Sequence, residues 1–185
     1  MNALRIPLVF LAAVSLALCG CSTSDPDAAG TPAPPTPSGW GYGPSTAPIE
    51  SPPAPGAFVG ASVRADQTWP EPVTDIDLVK LRFTGGPGCE ARYVDPPITD
   101  EVSGQPVEIE GAAFLQVTCQ PVTSLGPDTD RYSSPDTKNV TEVVKTGYNG
   151  SALNWTIGLE RRAPFGVAFE SGDGSVSGVL VGIVQ

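Results

Sequence analysis

The sequence predicts an all-β fold, an antiparallel β-sandwich in which one side of each sheet is buried. Three observations predict it. Short runs of alternating apolar and polar residues recur from Ala57 onward. Gly, Pro, Asn or Asp stand between these runs, as turns require. No window of twelve residues shows the 3.6-residue period of an amphipathic helix.

Residues 1–20 read as a bacterial lipoprotein signal peptide. A single charge, Arg5, precedes an apolar run from Ile6 to Leu18. That run is too short to span a ~30 Å hydrocarbon core, but it fits a signal h-region. Leu18-Cys19-Gly20-Cys21 then reads as a lipobox. Cleavage before Cys21 puts small Gly20 at −1, whereas cleavage before Cys19 puts bulky Leu18 there. Cys21 is therefore the expected lipid acceptor, and the alternative is an ordinary signal peptide with a chance cysteine. The expected location is the extracytoplasmic face of the cell membrane, lipid-anchored in the cell envelope.

Residues 21–56 read as a Pro/Gly/Ser/Thr-rich disordered linker. Ten prolines fall in this interval, and it holds too little apolar surface to offset its ordering entropy. In polyproline-II form it would reach about 110 Å. Trp40 and Tyr42 are its only large aromatics; they read as isolated side chains on a tether, with stacking on sugar rings as the alternative.

Residues 57–185 read as the folded domain. Ile76 to Phe83 is the first clear strand, with Val79, Leu81 and Phe83 on one side and Lys80 and Arg82 on the other. Cys89 to Val94 follows the Gly85-Gly86-Pro87-Gly88 turn. Val107 and Ile109 alternate with Glu108 and Glu110, which predicts a further strand. Leu115, Val117 and Cys119 mark the next, and Val140 to Thr146 is a less regular one. Leu153, Trp155, Ile157 and Leu159 alternate cleanly, which puts Trp155 in the core. Phe165, Val167 and Phe169 alternate with small residues, and Val176 to Val184 reads as an inner or closing strand. Gln120 to Asn139 reads as a long surface loop.

Composition narrows the function. Histidine is absent, which removes Ser-His-Asp and Cys-His catalysis and the commonest transition-metal ligand. With 20 acidic and 10 basic residues the net charge is −10, so nucleic acid and anionic lipid headgroups are disfavoured partners. Neither a cofactor nor a metal is expected. The oxygens of Asp75-Ile76-Asp77, Asp128-Thr129-Asp130 and Gly172-Asp173-Gly174 do not fit the twelve-residue calcium loop and read as turn and strand-end aspartates. Glu108 and Glu110, two apart on the expected strand, would stand about 7 Å apart, a spacing glycoside hydrolysis allows. Solvent-facing Glu at alternate positions is the simpler reading, and no enzyme is expected. Arg161-Arg162 reads as a polar turn, with contact to an anionic wall polymer or phosphate as the alternative. Three Asn-X-Ser/Thr matches, at Asn139, Asn149 and Asn154, are accidental if the lipobox marks a bacterium.

Cys89 and Cys119 remain once Cys19 leaves with the signal and Cys21 is acylated. Both fall on inward phases of their strands, and the compartment outside the membrane permits disulfides. They are predicted to be bonded, with two buried thiols as the alternative.

One longer pattern is recognisable. Tyr93-Val94-Asp95-Pro96-Pro97-Ile98-Thr99-Asp100, Ser103-Gly104-Gln105-Pro106-Val107 and Gly111-Ala112-Ala113-Phe114-Leu115-Gln116-Val117 resemble the AMIN-like domain of actinobacterial lipoproteins. Asp77-Leu78-Val79-Lys80-Leu81-Arg82-Phe83 resembles that family's opening strand. Glu142-Val143-Val144-Lys145-Thr146-Gly147, Trp155, Gly158-Leu159 and Pro164-Phe165 resemble its later ones. The closing Gly178-Val179-Leu180-Val181-Gly182-Ile183 departs from the family's usual ending. The resemblance implies an exported β-sandwich serving as a non-catalytic binding or targeting module, for peptidoglycan, another wall polymer or envelope proteins. It transfers no catalytic or ligand residue. The alternative function is a carrier or receptor holding a small or apolar ligand inside the sandwich.

Overall fold

A computed structural model describes residues 40–46, 53–66, 75–126, 129–171 and 176–185. The signal segment, Cys21, most of the Pro-rich stretch, Asp128 and the 172–174 turn lie outside those residues. The described residues form eleven strands and no helix: β1 (Ser45–Thr46), β2 (Gly56–Asp66), β3 (Ile76–Thr84), β4 (Gly88–Val94), β5 (Ala113–Gln120), β6 (Val122–Leu125), β7 (Arg131–Tyr132), β8 (Val140–Tyr148), β9 (Leu153–Leu159), β10 (Phe165–Glu170) and β11 (Val176–Val184). One sheet has the order β1-β4-β5-β9-β8-β7 and the other β10-β11-β3-β2-β6. Pairing is antiparallel except between β2 and β6, which run parallel.

The two sheets close on one apolar core, as the alternation predicts. Val79, Leu81 and Phe83 of β3, Leu115 and Val117 of β5, and Leu153, Trp155 and Ile157 of β9 are all fully buried. Phe58 of β2 links the layers, 5.6 Å from the Phe83 ring and 5.3 Å from Trp155. Cys89 and Cys119 are register partners on β4 and β5 and are joined as a disulfide, with Cα atoms 4.1 Å apart.

Four expectations need correction. Val107 and Ile109 lie on no strand. Residues 95–112 instead fold over the outer face of the six-stranded sheet. A Cβ at Gly158 of β9 would meet the Glu110 carbonyl and the Ile109 side chain. The alternation there reflects one-sided burial of an irregular segment, whose backbone bonds go to Ile98, Thr141 and Arg131. This cover also explains why every residue of β9 is buried on both faces.

The stretch Gln120 to Asn139 is not one loop, because β6 and β7 lie within it. Val122 is buried and Tyr132 packs 5.7 Å from Trp155; two apolar anchors hold strands too short to show a period. Strand β2 was not separable from the sequence. Its small Gly60 and Ala61, a register shift between Phe58 and Gly60, and the Arg64–Asp66 ion pair blur the alternation.

The fourth correction concerns the linker. Residues 40–46 are docked as an arm across one side of the sandwich. Gly41 exchanges both backbone hydrogen bonds with Phe165 of β10, at 3.1 and 2.9 Å, and Ser45 and Thr46 pair with Ala91 and Glu90 of β4. The arm thus covers an edge of each sheet, which protects unpaired strand edges. Trp40 is half-buried because its indole lies over Gly166 and Gly182, register partners on the outer face of β10 and β11. A Cβ at Gly182 would sit 2.8 Å from the indole and 3.2 Å from Ile76. Gly182→Ala is therefore expected to undock the arm while costing the domain only about 1 kcal/mol. Amide exchange reads this directly. The Gly41 and Phe165 amides should exchange at least about tenfold faster in the variant, and unchanged protection would show that the glycine slot does not hold the arm.

Candidate functional site

Most of the well-placed carboxyl groups are engaged with the polypeptide itself. Asp77 is fully buried. Its Oδ2 accepts the backbone N–H groups of Lys138, Asn139 and Val140 at 3.0, 2.6 and 2.8 Å, and its Oδ1 accepts Gln185 Nε2 at 2.8 Å. Glu142 is also buried; its Oε1 accepts the Glu110 N–H and its Oε2 pairs with Arg131, which donates to the Glu108 carbonyl at 2.9 Å. Asp100 accepts the Ser103 N–H at 2.7 Å, the Ser103 hydroxyl at 2.8 Å and the Val102 N–H at 3.2 Å. The Ser103 N–H, more than any other group, holds its carboxyl below the usual range. Glu101 accepts Asn154 Nδ2 at 2.6 Å, and Asn154 in turn accepts the Thr118 hydroxyl at 2.6 Å.

Glu108 and Glu110 are exposed on the irregular cover. They do not share a strand face, so the geometric basis for a carboxylate pair there is gone. Among the described residues no group of three or more Cys, Asp or Glu side chains is placed to hold a metal.

Two surface features remain. The first is a cleft of about 280 Å³ between the arm and the β4–β5 pair, lined by Thr46, Pro53, Glu90, Thr118 and Gln120 with Gly88 and Cys89 behind. Pro53 adds an apolar wall to the hydrogen-bonding groups of Thr46, Thr118 and Gln120 and the Glu90 carboxylate, and none of these lining residues is a cation. It falls just below the ~300–1,000 Å³ of ordinary small-molecule sites, so it offers a shallow contact and not an enclosing pocket.

The second feature is a corner where the arm passes from β10 to β4. Tyr93 of β4 is its platform. The Tyr93 hydroxyl donates to the Ala163 carbonyl at 2.6 Å and accepts the Ala163 N–H at 2.9 Å, and its ring packs edge-on to Phe165 at 5.4 Å. Burial pushes the phenol above its ordinary value, opposed by the Ala163 N–H and by the Arg162 charge. The hydroxyl therefore stays a donor over the physiological range. The Arg162 guanidinium lies over this ring, 4.5 Å from its centre.

The turn that carries the arginines is clamped. Glu160 N–H donates to the Asn139 carbonyl at 2.8 Å and Arg161 N–H to Asn139 Oδ1 at 3.1 Å. Asn139 is itself buried and tied to Val184 and Asp77. Arg161 and Arg162 point to solvent, and neither forms an ion pair among the described residues. Tyr42, on the arm, is close enough to influence Tyr93 electrostatically and is 60% exposed, the only exposed aromatic among the described residues.

The sequence shows the arginine doublet and Tyr42 but not their meeting. Residues 42, 93 and 162 are far apart in the chain; the fold stacks Arg162 on Tyr93, and the docked arm brings Tyr42 near Tyr93. Cys21 lies outside the described residues. Residues 74–181 match the family model of the AMIN-like domain. No curated protein and no solved structure matches the chain.

Proposed function

The chain belongs to the AMIN-like domain family, and from that premise we propose that it is a lipid-anchored envelope protein whose domain binds wall polymer or envelope partners without cutting them. The family match over residues 74–181 is the observation that carries this reading. Two further features support it. Asp77, Asp100, Glu101 and Glu142, the carboxyl groups with the most ordered surroundings, are all engaged with the polypeptide. The signal pattern ending at Cys21 supplies the anchor.

The docked arm shortens the tether in this reading. Trp40 lies nineteen positions after Cys21, a span of at most about 60 Å in polyproline-II form. The domain would then work close to the membrane-facing side of the wall. The carrier reading needs a hollow between the sheets, and that space holds Phe58, Phe83, Trp155 and Phe165.

Anchoring and binding are tested in turn. Cys21→Ser should abolish incorporation of labelled fatty acid and move the protein out of the membrane fraction. The chain, solubilised in nonionic detergent, should be retained on purified wall material at physiological salt. Flow-through of the chain at both low and physiological salt would overturn the binding half of the proposal.

A further inference from the structure

The corner formed by Tyr42, Tyr93, Arg161 and Arg162 has the construction of a binding surface for an anionic glycan. We propose that it binds a sugar polymer bearing phosphate or carboxylate groups; this rests on the wall-binding reading and names the ligand class within it.

Arg162 is preorganised. A guanidinium stacked on an aromatic ring has lost much of its rotamer freedom, and its N–H edge remains free for bidentate contact with a phosphate or carboxylate. The ring beneath it is fixed at both its hydroxyl and its edge. Arg161 adds a second charge from the same clamped turn. Among the described residues Arg64, Lys80, Arg131 and Lys145 are each paired with a carboxylate, while Arg82, Arg92, Lys138, Arg161 and Arg162 form no ion pair. Of these five only Arg161 and Arg162 are adjacent, so they place two uncompensated charges side by side in a chain with twice as many acidic as basic residues.

Tyr42 selects among polyanions. An exposed aromatic on the arm near Tyr93 offers a flat apolar face of the kind that stacks on a sugar ring. The rest of the molecule argues against a membrane surface or nucleic acid, because a net charge of −10 opposes approach to an extended sheet or rod of negative charge. A flexible glycan presents one or two anionic units at a time. At physiological salt, charges more than ~8 Å away are largely screened, so the two arginines govern the contact. Glu160, next in sequence, is exposed and forms no ion pair with either of them.

The test measures binding of the full chain, in nonionic detergent, to phosphomannan and to polygalacturonate, with dextran as the neutral control. Wild type should bind at least one of the anionic polymers and not dextran. Preference for the first assigns the phosphodiester chemistry and preference for the second the carboxylate chemistry. Arg161→Gln/Arg162→Gln should weaken that binding by about tenfold or more. Arg82→Gln, which removes another exposed charge without an ion pair among the described residues, on the outer face of β3, should change it by less than about twofold. Tyr42→Leu should weaken the glycan by a few-fold while leaving any retention of inorganic phosphate unchanged.

The arginine side chains point to solvent, so the variants should keep the wild-type circular dichroism and melting temperature. Failure of wild type to bind either polyanion, or equal losses in the double variant and Arg82→Gln, would each overturn the proposal. Full retention of the double variant on wall material that also retains wild type would sink this site while leaving the wall-binding reading intact. Loss of wild-type retention on wall material would be the failure of that broader reading.

Discussion

Asp77→Ala is expected to lower the stability of the folded chain by about 3–4 kcal/mol. The Asp77 carboxyl gathers three consecutive backbone N–H groups, those of Lys138, Asn139 and Val140, together with the Gln185 amide. All of this lies at a fully buried position. Removing the acceptor strands several donors, and each buried unsatisfied group costs about 1–3 kcal/mol. The residue also ties β3 of one sheet to the start of β8 in the other, so its loss should loosen the 134–140 segment first. Asp77→Asn keeps the volume and one acceptor oxygen, and should cost less, about 2 kcal/mol. Urea denaturation gives both numbers. A loss below about 1 kcal/mol in the alanine variant would mean that water or a rearranged segment replaces the carboxyl.

Removing the disulfide is the second large effect. Cys89→Ala/Cys119→Ala opens a link between residues 30 apart in sequence, and the chain-entropy account puts the cost at about 3–4 kcal/mol. Both positions are buried, at 4% and 0% exposure, so the lost sulfur atoms also leave space behind. Native β4–β5 pairing should survive, because the ladder extends from Gly88↔Gln120 to Val94↔Phe114 with or without the bond. The double variant should therefore show a native circular dichroism spectrum and a lower urea midpoint. A midpoint within error of wild type would show that residual structure in the unfolded chain already supplies the constraint.

The parts of this fold that were legible in the sequence are those where alternation and burial coincide. Strands β3, β5 and β9 each carry three or more inward apolar residues at strict period two, and Trp155 keeps that phase. Legibility failed where burial comes from somewhere other than the facing sheet. Val107 and Ile109 alternate because one side of an irregular segment rests on β8 and β9. Strands β6 and β7 are two to four residues long and are held by single anchors, Val122 and Tyr132. The docked arm was hidden by its own composition: a Pro/Gly-rich stretch has no period, and the slot that receives Trp40 is two glycines more than 120 residues away.

The candidate site divides in the same way. Cys89 and Cys119 could be paired from strand phase and from the expected compartment, since both are local readings. The Arg161-Arg162 doublet was visible, but a doublet alone reads as a polar turn. Its meaning changes with Tyr93 beneath Arg162, a contact that only the tertiary fold creates. Asp77 was visible as one of two nearby aspartates, yet its partners lie 61 to 108 residues downstream.

The central claim is that the domain grips wall polymer and leaves it intact. Sedimentation of the full chain with purified wall material, with the pelleted protein and the released soluble fragments read from the same tube, tests both halves together. The account predicts saturable transfer of the protein to the pellet with no release of fragments above a protein-free control. Protein remaining in the supernatant, or fragments accumulating with time, would contradict it.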